Sequence, residues 1–284
     1  MTTTDPFFIE GPACVSFSGG RTSGYMLRRI LDAYGGTLPD DVHVVFANTG
    51  KERSETLDFV RDCGERWNVR IRWIELLISG EQPEMRHAFR EVSFDTASRR
   101  GEPFSAMIEA RRYLPNPVAR ICTQELKIRP MNKFARSLGF EHWTNVVGLR
   151  ADEPRRVAKI KAPSRERFDL VAPLADAGVT LADVQAFWGA VPFDLRLMQH
   201  EGNCDLCFLK GRARIERIMR ARPDLAAWWI EQESRGYGAH GDALFRHDRP
   251  SYAAQLARIR SLPMLPGLDL DAGDENALPC ACTD

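Results

Sequence analysis

Apolar residues in this chain fall into short blocks separated by polar, glycine-bearing turns, and the block lengths predict the elements. Residues 14–17 form a short apolar run, followed by helical periodicity over about 22–34 and a turn-rich segment at 35–41. Val42-His43-Val44-Val45-Phe46 is nearly continuous in apolar character, as in a parallel strand buried on both faces. Asn48-Thr49-Gly50 breaks that run. A helix over about 54–67 follows, with Leu57, Val60 and Cys63 on one stripe, and residues 69–74 then alternate as a third strand. Three strand–helix alternations in succession predict an α/β fold with a doubly wound, mostly parallel sheet.

The pattern loosens over 79–120, where charged and small residues alternate with Pro103, Pro115 and Pro117. That stretch reads as an insertion or lid without a clean strand, partly helical near 104–113. Regular periodicity returns as a helix over 130–138 ended by Gly139, a strand over 143–147, and a last strand over 168–172 closed by Pro173. Thr180 and Asp183 stand three apart, as in a capping box with Asp in place of Glu, and open a helix. Further helices are expected at 211–221, 223–234 and 251–261. The expected organisation is a nucleotide-binding α/β domain over 1–200, with the insertion inside it, and a helical C-terminal extension over 201–284. The extension carries a CxxC and a cysteine-containing tail. No internal repeat is present.

Composition adds little to this picture and charge adds less. The 284 residues are 44% hydrophobic and 27% charged, with Lys+Arg and Asp+Glu both at 39, so net charge selects no partner. Arginines do cluster, at Arg99-Arg100, Arg111-Arg112, Arg150, Arg155-Arg156, Arg165 and Arg167. Such clusters suit either a solvated face or a cleft for phosphates or nucleic acid. The N-terminus lacks the basic-then-apolar pattern of a signal peptide, and no run approaches a membrane span, so the expected location is cytoplasmic, without a membrane partner. In that compartment seven cysteines read as metal ligands or reactive thiols rather than disulfides.

The candidate chemistry centres on Ser16-Phe17-Ser18-Gly19-Gly20-Arg21-Thr22-Ser23. Adjacent glycines permit a sharp turn and close approach of backbone to a ligand. Ser18, Thr22 and Ser23 add hydroxyls, Arg21 adds a cation, and the amides at the start of the following helix favour an anion. The stretch reads as a phosphate cradle, with a plain strand–turn–helix connection as the alternative. Asn48-Thr49-Gly50 ends the second strand on the same carboxyl edge of the sheet, where open α/β folds bind ligands.

These motifs carry a family resemblance. Ser18-Gly19-Gly20-Arg21-Thr22-Ser23 resembles the SGGxxS loop of the PP-loop ATP pyrophosphatases, and Phe46-Ala47-Asn48-Thr49-Gly50 resembles their DTG loop, with Asn48 where Asp is usual. Gly148-Leu149-Arg150 with Glu153 and Arg156, and Cys122 with Leu126-Lys127-Ile128-Arg129-Pro130, resemble segments of the phosphoadenosine phosphosulfate (PAPS) reductase family. The resemblance covers roughly residues 13–210 and implies the adenine nucleotide α-hydrolase-like fold.

It also implies roles. Cys122, Cys204 and Cys207 resemble the cluster ligands of adenosine phosphosulfate reductases, with Ile121 in place of the fourth cysteine; Cys280, Cys282 or His200 would complete the set, or leave one position open. His200 reads more readily as a loop histidine, and Cys14 and Cys63 as buried core residues. A [4Fe–4S] cluster is the leading cofactor, zinc the alternative, and magnesium a candidate companion of the nucleotide. Lys127 would sit near the cluster and the substrate phosphate, and Arg150 and Arg156 would pair with the α-phosphate or departing pyrophosphate.

The intact glycine pair, together with the missing reductase tail motif, points to ATP-pyrophosphatase-type adenylation coupled to sulfur transfer. Two alternatives stay open. In one, Cys282 is the thiol nucleophile of a sulfonucleotide reductase that releases sulfite. In the other, the chain is a non-catalytic nucleotide-binding module with a zinc site. Expected partners are ATP or a related adenine nucleotide, a tRNA or DNA acceptor, a sulfur donor or thiol reductant protein, and a second copy in a homo-oligomer.

Overall fold

The computed structural model describes residues 5–78, 88–162, 166–198, 201–202, 204–237 and 243–261. Six strands form one sheet: β1 (Ala13–Ser16), β2 (Val42–Asn48), β3 (Ile71–Leu77), β4 (Ala88–Val92), β5 (Trp143–Val146) and β6 (Phe168–Val171), in the spatial order β4-β3-β2-β1-β5-β6. All neighbours run parallel except the β3–β4 pair. The chain winds outward from β1 through β2 and β3 on one side, and through β5 and β6 on the other. The order therefore reverses between β1 and β5, and a crevice opens there at the strands' carboxyl ends.

The period-two side-chain alternation sorts each strand's residues onto two cores. Val15, Val44 and Phe46 pack with α1 (Arg21–Ala33) and α2 (Ser54–Arg66), through Met26, Leu27, Leu57 and Phe59. Cys14, Val45, Ala47 and Ile74 face the opposite layer and meet Met131, Phe134 and Ala135 of α5 (Arg129–Ser137). With both faces covered, the strands can be apolar throughout, which is why β2 reads as an unbroken run. Cys14 and Cys63 lie fully inside these cores, and burial pushes the Cys14 thiol up to about 12, so both thiols are inert packing groups.

A third cluster joins α3 (Glu102–Arg111) to α9 (Arg212–Ala221), α10 (Ala226–Ser234) and α11 (Tyr252–Ser261), around Phe104, Ile108, Leu206, Phe208, Ile215, Trp229 and Tyr252. Leu76 of β3 belongs to it, so the helical C-terminal region packs against the sheet at β3. Between β5 and α9 lie α6 (Pro154–Ile160), α7 (Pro173–Asp176) and α8 (Leu181–Ala190), the last opened by Thr180, whose backbone N–H and hydroxyl both donate to Asp183.

Two expectations need correction. The loosely patterned 79–120 stretch does contain a strand, β4, antiparallel on the sheet's edge. Its residues Ala-Phe-Arg-Glu-Val carry little strand signal because one side is solvated; pairing with β3 and the Arg72–Glu91 and Arg90–Glu75 cross-strand ion pairs define it. The helix expected from residue 130 starts earlier. α4 (Ile121–Thr123) runs into a π-helical turn (Gln124–Ile128) and on into α5 without a break. Pro130 stands second in α5, one residue past the wider turn, and the i→i+5 pairing just before it accommodates an amide-less residue inside a continuous helix.

Candidate functional site

The glycine loop lies at the point where strand order reverses. Gly19 has φ +80°, and a Cβ there would come within 2.7 Å of the Thr56 methyl, so the turn requires glycine. Gly20 caps α1, its amide donating to Ser23 Oγ at 3.2 Å, while the Ser18 hydroxyl donates to the same oxygen at 3.0 Å. No acidic residue occupies the first turn of α1, so the amide end keeps its positive character. Thr56 is fully buried with its methyl against Gly19, and its hydroxyl has no hydrogen-bond partner among the described residues.

The segment after β5 closes the crevice from its other wall. Gly148 is tucked against α1, where an added Cβ would lie 3.4 Å from Ser23 Cα. Arg150 donates through Nη1 to Thr22 Oγ1 at 3.0 Å and through Nε to Asp152 at 2.9 Å. Glu153 accepts from the Arg150 amide at 3.1 Å and pairs with Arg156. Ser18, Gly19, Gly20, Thr22, Ser23, Gly148, Arg150 and, through Glu153, Arg156 thus form one constellation, although more than a hundred residues of chain separate its halves.

Three expected ligand residues are committed elsewhere. Arg21 forms a bidentate ion pair with Asp194, at 2.7 and 2.6 Å, and also donates to the Leu197 carbonyl. A carboxylate at matching geometry outcompetes a solvated anion for a planar guanidinium. Ser16 points to the α5 face, its hydroxyl 3.5 Å from the Met131 sulfur. Asn48 is fully buried. Its Nδ2 donates to Glu75 Oε1 at 2.6 Å and to the Ser98 carbonyl at 2.9 Å, and its Oδ1 accepts from the Gly50 amide at 3.1 Å. Glu75 explains why Asn stands where Asp is usual: an aspartate would press a second carboxylate against it.

The loop after β2 then turns toward the cysteines. Thr49 donates its amide and hydroxyl to Glu52, and the Gly50 carbonyl accepts from the Gly101 amide at 2.8 Å. Glu52 forms an antiparallel bridge with Cys204, and its carboxylate lies 3.9 Å from Lys127 Nζ in the π-helical turn. Lys51 pairs with Asp205 at 2.7 Å, with both side chains over nine-tenths buried, and its ammonium lies over the Trp228 ring. Asp205 also accepts from the Trp229 indole and the Leu206 amide. Lys51, Glu52 and Asp205 escaped the sequence reading. The charged triplet Lys51-Glu52-Arg53 directly after the break in β2, and an acid inside the CxxC, were the available signals.

Cys122, Cys204 and Cys207 all border the third cluster, as thiols. Three thiolates suit a soft metal by type. Among the described residues, however, no three His, Cys, Asp or Glu side chains converge closely enough to hold a metal ion. The [4Fe–4S] and zinc expectations therefore gain no ready coordination set. Cys280, Cys282 and His200, named as possible completing ligands and Cys282 as a possible nucleophile, lie outside the described residues, as does Arg165. No described helix is long and apolar enough to cross a membrane.

Comparison with known proteins supports the family resemblance. The family model for the phosphoadenosine phosphosulfate reductase domain matches residues 12–188. An uncharacterised nin region protein of Escherichia phage lambda is 34% identical over 205 residues, covering 71% of this chain and 67% of that protein. Among solved structures, a phosphoadenylyl-sulfate reductase from Candida auris, in a phosphate complex, aligns with TM-score 0.40 and 17% identity over 65% of this chain and 76% of its own. The U34-tRNA thiolase of Methanococcus maripaludis with its [4Fe–4S] cluster aligns with TM-score 0.39 and 11% identity over 90% and 73%.

Proposed function

The chain belongs to the phosphoadenosine phosphosulfate reductase domain family, and from that premise we propose that it is an adenine-nucleotide enzyme that activates an acceptor for sulfur chemistry by adenylation. ATP binds with its phosphates on Ser18–Ser23 and the α1 amides. An acceptor oxygen attacks the α-phosphorus, the bond to the β-phosphate breaks, and pyrophosphate leaves. A sulfur donor then displaces AMP from the adenylated acceptor. Backbone donors fixed in place before the reaction are what such a step needs, because charge develops on phosphoryl oxygens and they need not reorganise to meet it.

The observation that carries this reading is the meeting of the Gly19-Gly20 turn with Arg150 at the strand-order reversal, through Thr22. Arg150 would act there as a fixed cation beside the α-phosphate. Arg156, tied to Glu153, supports that wall. The thiol region is where sulfur would be handled. An iron–sulfur cluster would supply sulfur or electrons if bound, with Cys122, Cys204 and Cys207 as its protein thiolates, but no step is assigned to it. The acceptor in this reading is a tRNA or DNA.

The family's namesake reaction is the second reading, favoured by the family match itself: a thiolate attacks the sulfur of a bound phosphosulfate, the S–O bond breaks and the adenosine phosphate leaves, and a second thiol then attacks the S-sulfonated cysteine, releasing sulfite and forming a disulfide. One assay separates the two. Protein is incubated with ATP and cellular RNA or DNA fractions, and separately with a phosphosulfate nucleotide and a dithiol. Adenylation predicts acceptor-dependent pyrophosphate and AMP in the first mixture, abolished by Gly19→Val. Sulfite in the second mixture, with no pyrophosphate in the first, overturns it.

A further inference from the structure

The two halves of the site are joined through one short path of packed groups. Gly19 lies against Thr56 in the first turn of α2. The Thr56 and Leu57 amides donate to the Arg53 carbonyl, at 3.0 and 3.3 Å, so this turn is continuous with the loop after β2. That loop is fastened to the CxxC in two ways. An antiparallel backbone bridge sets Glu52 opposite Cys204, with the Asp205 amide donating to the Lys51 carbonyl at 3.0 Å, and the Lys51–Asp205 ion pair closes at 2.7 Å.

The ion pair has unusual surroundings for a structural tie. Asp205 stands between Cys204 and Cys207, and a buried carboxylate is stable there only while its partners stay in place. Its oxygens are taken by Lys51, the Trp229 indole and the Leu206 amide. Lys51 is held by Trp228, whose indole donates to Ser105, and by Gly101, where a Cβ would come within 2.9 Å of Lys51 Cδ. Gly101 is in turn bonded to Gly50. The CxxC loop is thus pinned by a residue three positions beyond Asn48, the last residue of β2.

We propose that Lys51 and Asp205 are positioning residues that couple the glycine loop to the CxxC, so that filling the cradle at Gly19-Gly20 tightens the Cys204–Cys207 loop. The inference rests on the reading of that cradle as a nucleotide site. A ligand seated on Gly19 and Gly20 restrains Thr56 and the first turn of α2, and the restraint reaches Asp205 through Lys51 rather than through solvent. Sulfur chemistry at the cysteines is thereby placed in order behind nucleotide binding.

The test is amide hydrogen exchange across 204–208 in the full chain, with and without an ATP analogue whose α–β bridge is methylene. Binding of the analogue is measured separately by calorimetry. Exchange at Asp205 and Leu206 is expected to slow about tenfold on binding, the size of a modest local stabilisation. Lys51→Met alone leaves a buried charge unpaired, so the informative variant is Lys51→Met with Asp205→Asn, which removes both charges. In it the analogue should still bind, and the ligand-dependent slowing should vanish. A merely structural pair would instead raise exchange by the same factor in both states and leave the ligand-dependent difference intact. Binding without slowing in the native chain, or equal slowing in the double variant, overturns the coupling and spares the nucleotide reading. Absence of binding overturns both.

Discussion

The crevice wall and the cysteine wall are built on opposite principles. At the crevice, backbone amides, hydroxyls and arginines gather where strand order reverses, and the charged groups keep contact with solvent. Arg21 and Asp194 are 26% and 37% exposed. At the cysteines, the Lys51–Asp205 pair is 7% and 5% exposed and is sealed by Trp228 and Trp229. The first arrangement leaves room for an anion to arrive and depart. The second trades away exchange with water for a fixed geometry, since a buried charge has no solvent to fall back on.

The difference should be largest when each wall loses its cation. Lys51→Met strands a buried carboxylate and is expected to cost about 3–5 kcal/mol. Arg21→Met breaks a bidentate but hydrated pair and should cost about 1 kcal/mol or less. Urea unfolding of the two variants reads both. Equal losses would show that the walls do not differ in the way their burial implies.

Asn48→Asp probes the hinge between them. The new carboxylate would face Glu75 where Nδ2 now donates at 2.6 Å, and would also lose the donor to Ser98. Because both sites are buried, a loss of about 2–3 kcal/mol is expected. It should be partly recovered by Glu75→Gln, which restores a donor between the two groups. Failure of the second change to recover stability would mean that Glu75 is not what selects Asn at this position.

On the crevice wall alone, Arg150→Ala should cost about 1 kcal/mol, the hydrogen bond to the buried Thr22 hydroxyl, because its carboxylate partner Asp152 can be hydrated. Affinity for an adenine nucleotide should fall about tenfold, the worth of one charge-assisted contact. Calorimetric titration checks this. Unchanged affinity would remove Arg150 from the phosphate site and leave it as a loop tie.

How much of this was legible in the sequence follows from how the two walls are assembled. The crevice wall comes from local signals. Its glycine turn, the following helix and the Gly148-Leu149-Arg150 segment each announce themselves within a few residues, and the α/β alternation places them on one edge. The fate of Arg21 was not legible, because Asp194 lies 173 residues away and nothing near Arg21 signals it. The cysteine wall draws on five separate segments, around 48–53, 98–104, 122–131, 204–210 and 226–234. Each looks like an ordinary loop or helix until the others are packed against it. Asn48 shows the limit most plainly: its motif position suggested a ligand, and the buried partner that sets its identity sits on the neighbouring strand.

The smallest expected effect tests how far the crevice wall depends on its exposed periphery. Helix α8 packs against α1 and holds it through the Trp188 indole, which donates to the Arg21 carbonyl at 2.8 Å. The capping carboxylate of Asp183, accepting from the Thr180 amide and hydroxyl, is held below the usual aspartate range by those bonds. A carboxylate whose folded value is depressed stabilises the fold above its unfolded value of about 3.9, and that contribution is lost as pH falls through the folded value. The melting-temperature gap between the native chain and Asp183→Asn should therefore be level from neutral pH down to about 5 and close progressively below it. A gap at Asp183 that ignores pH would mean its charge does nothing for α8, which then rests on the Leu181–Asp152 bond and on the packing of Val184, Phe187 and Trp188.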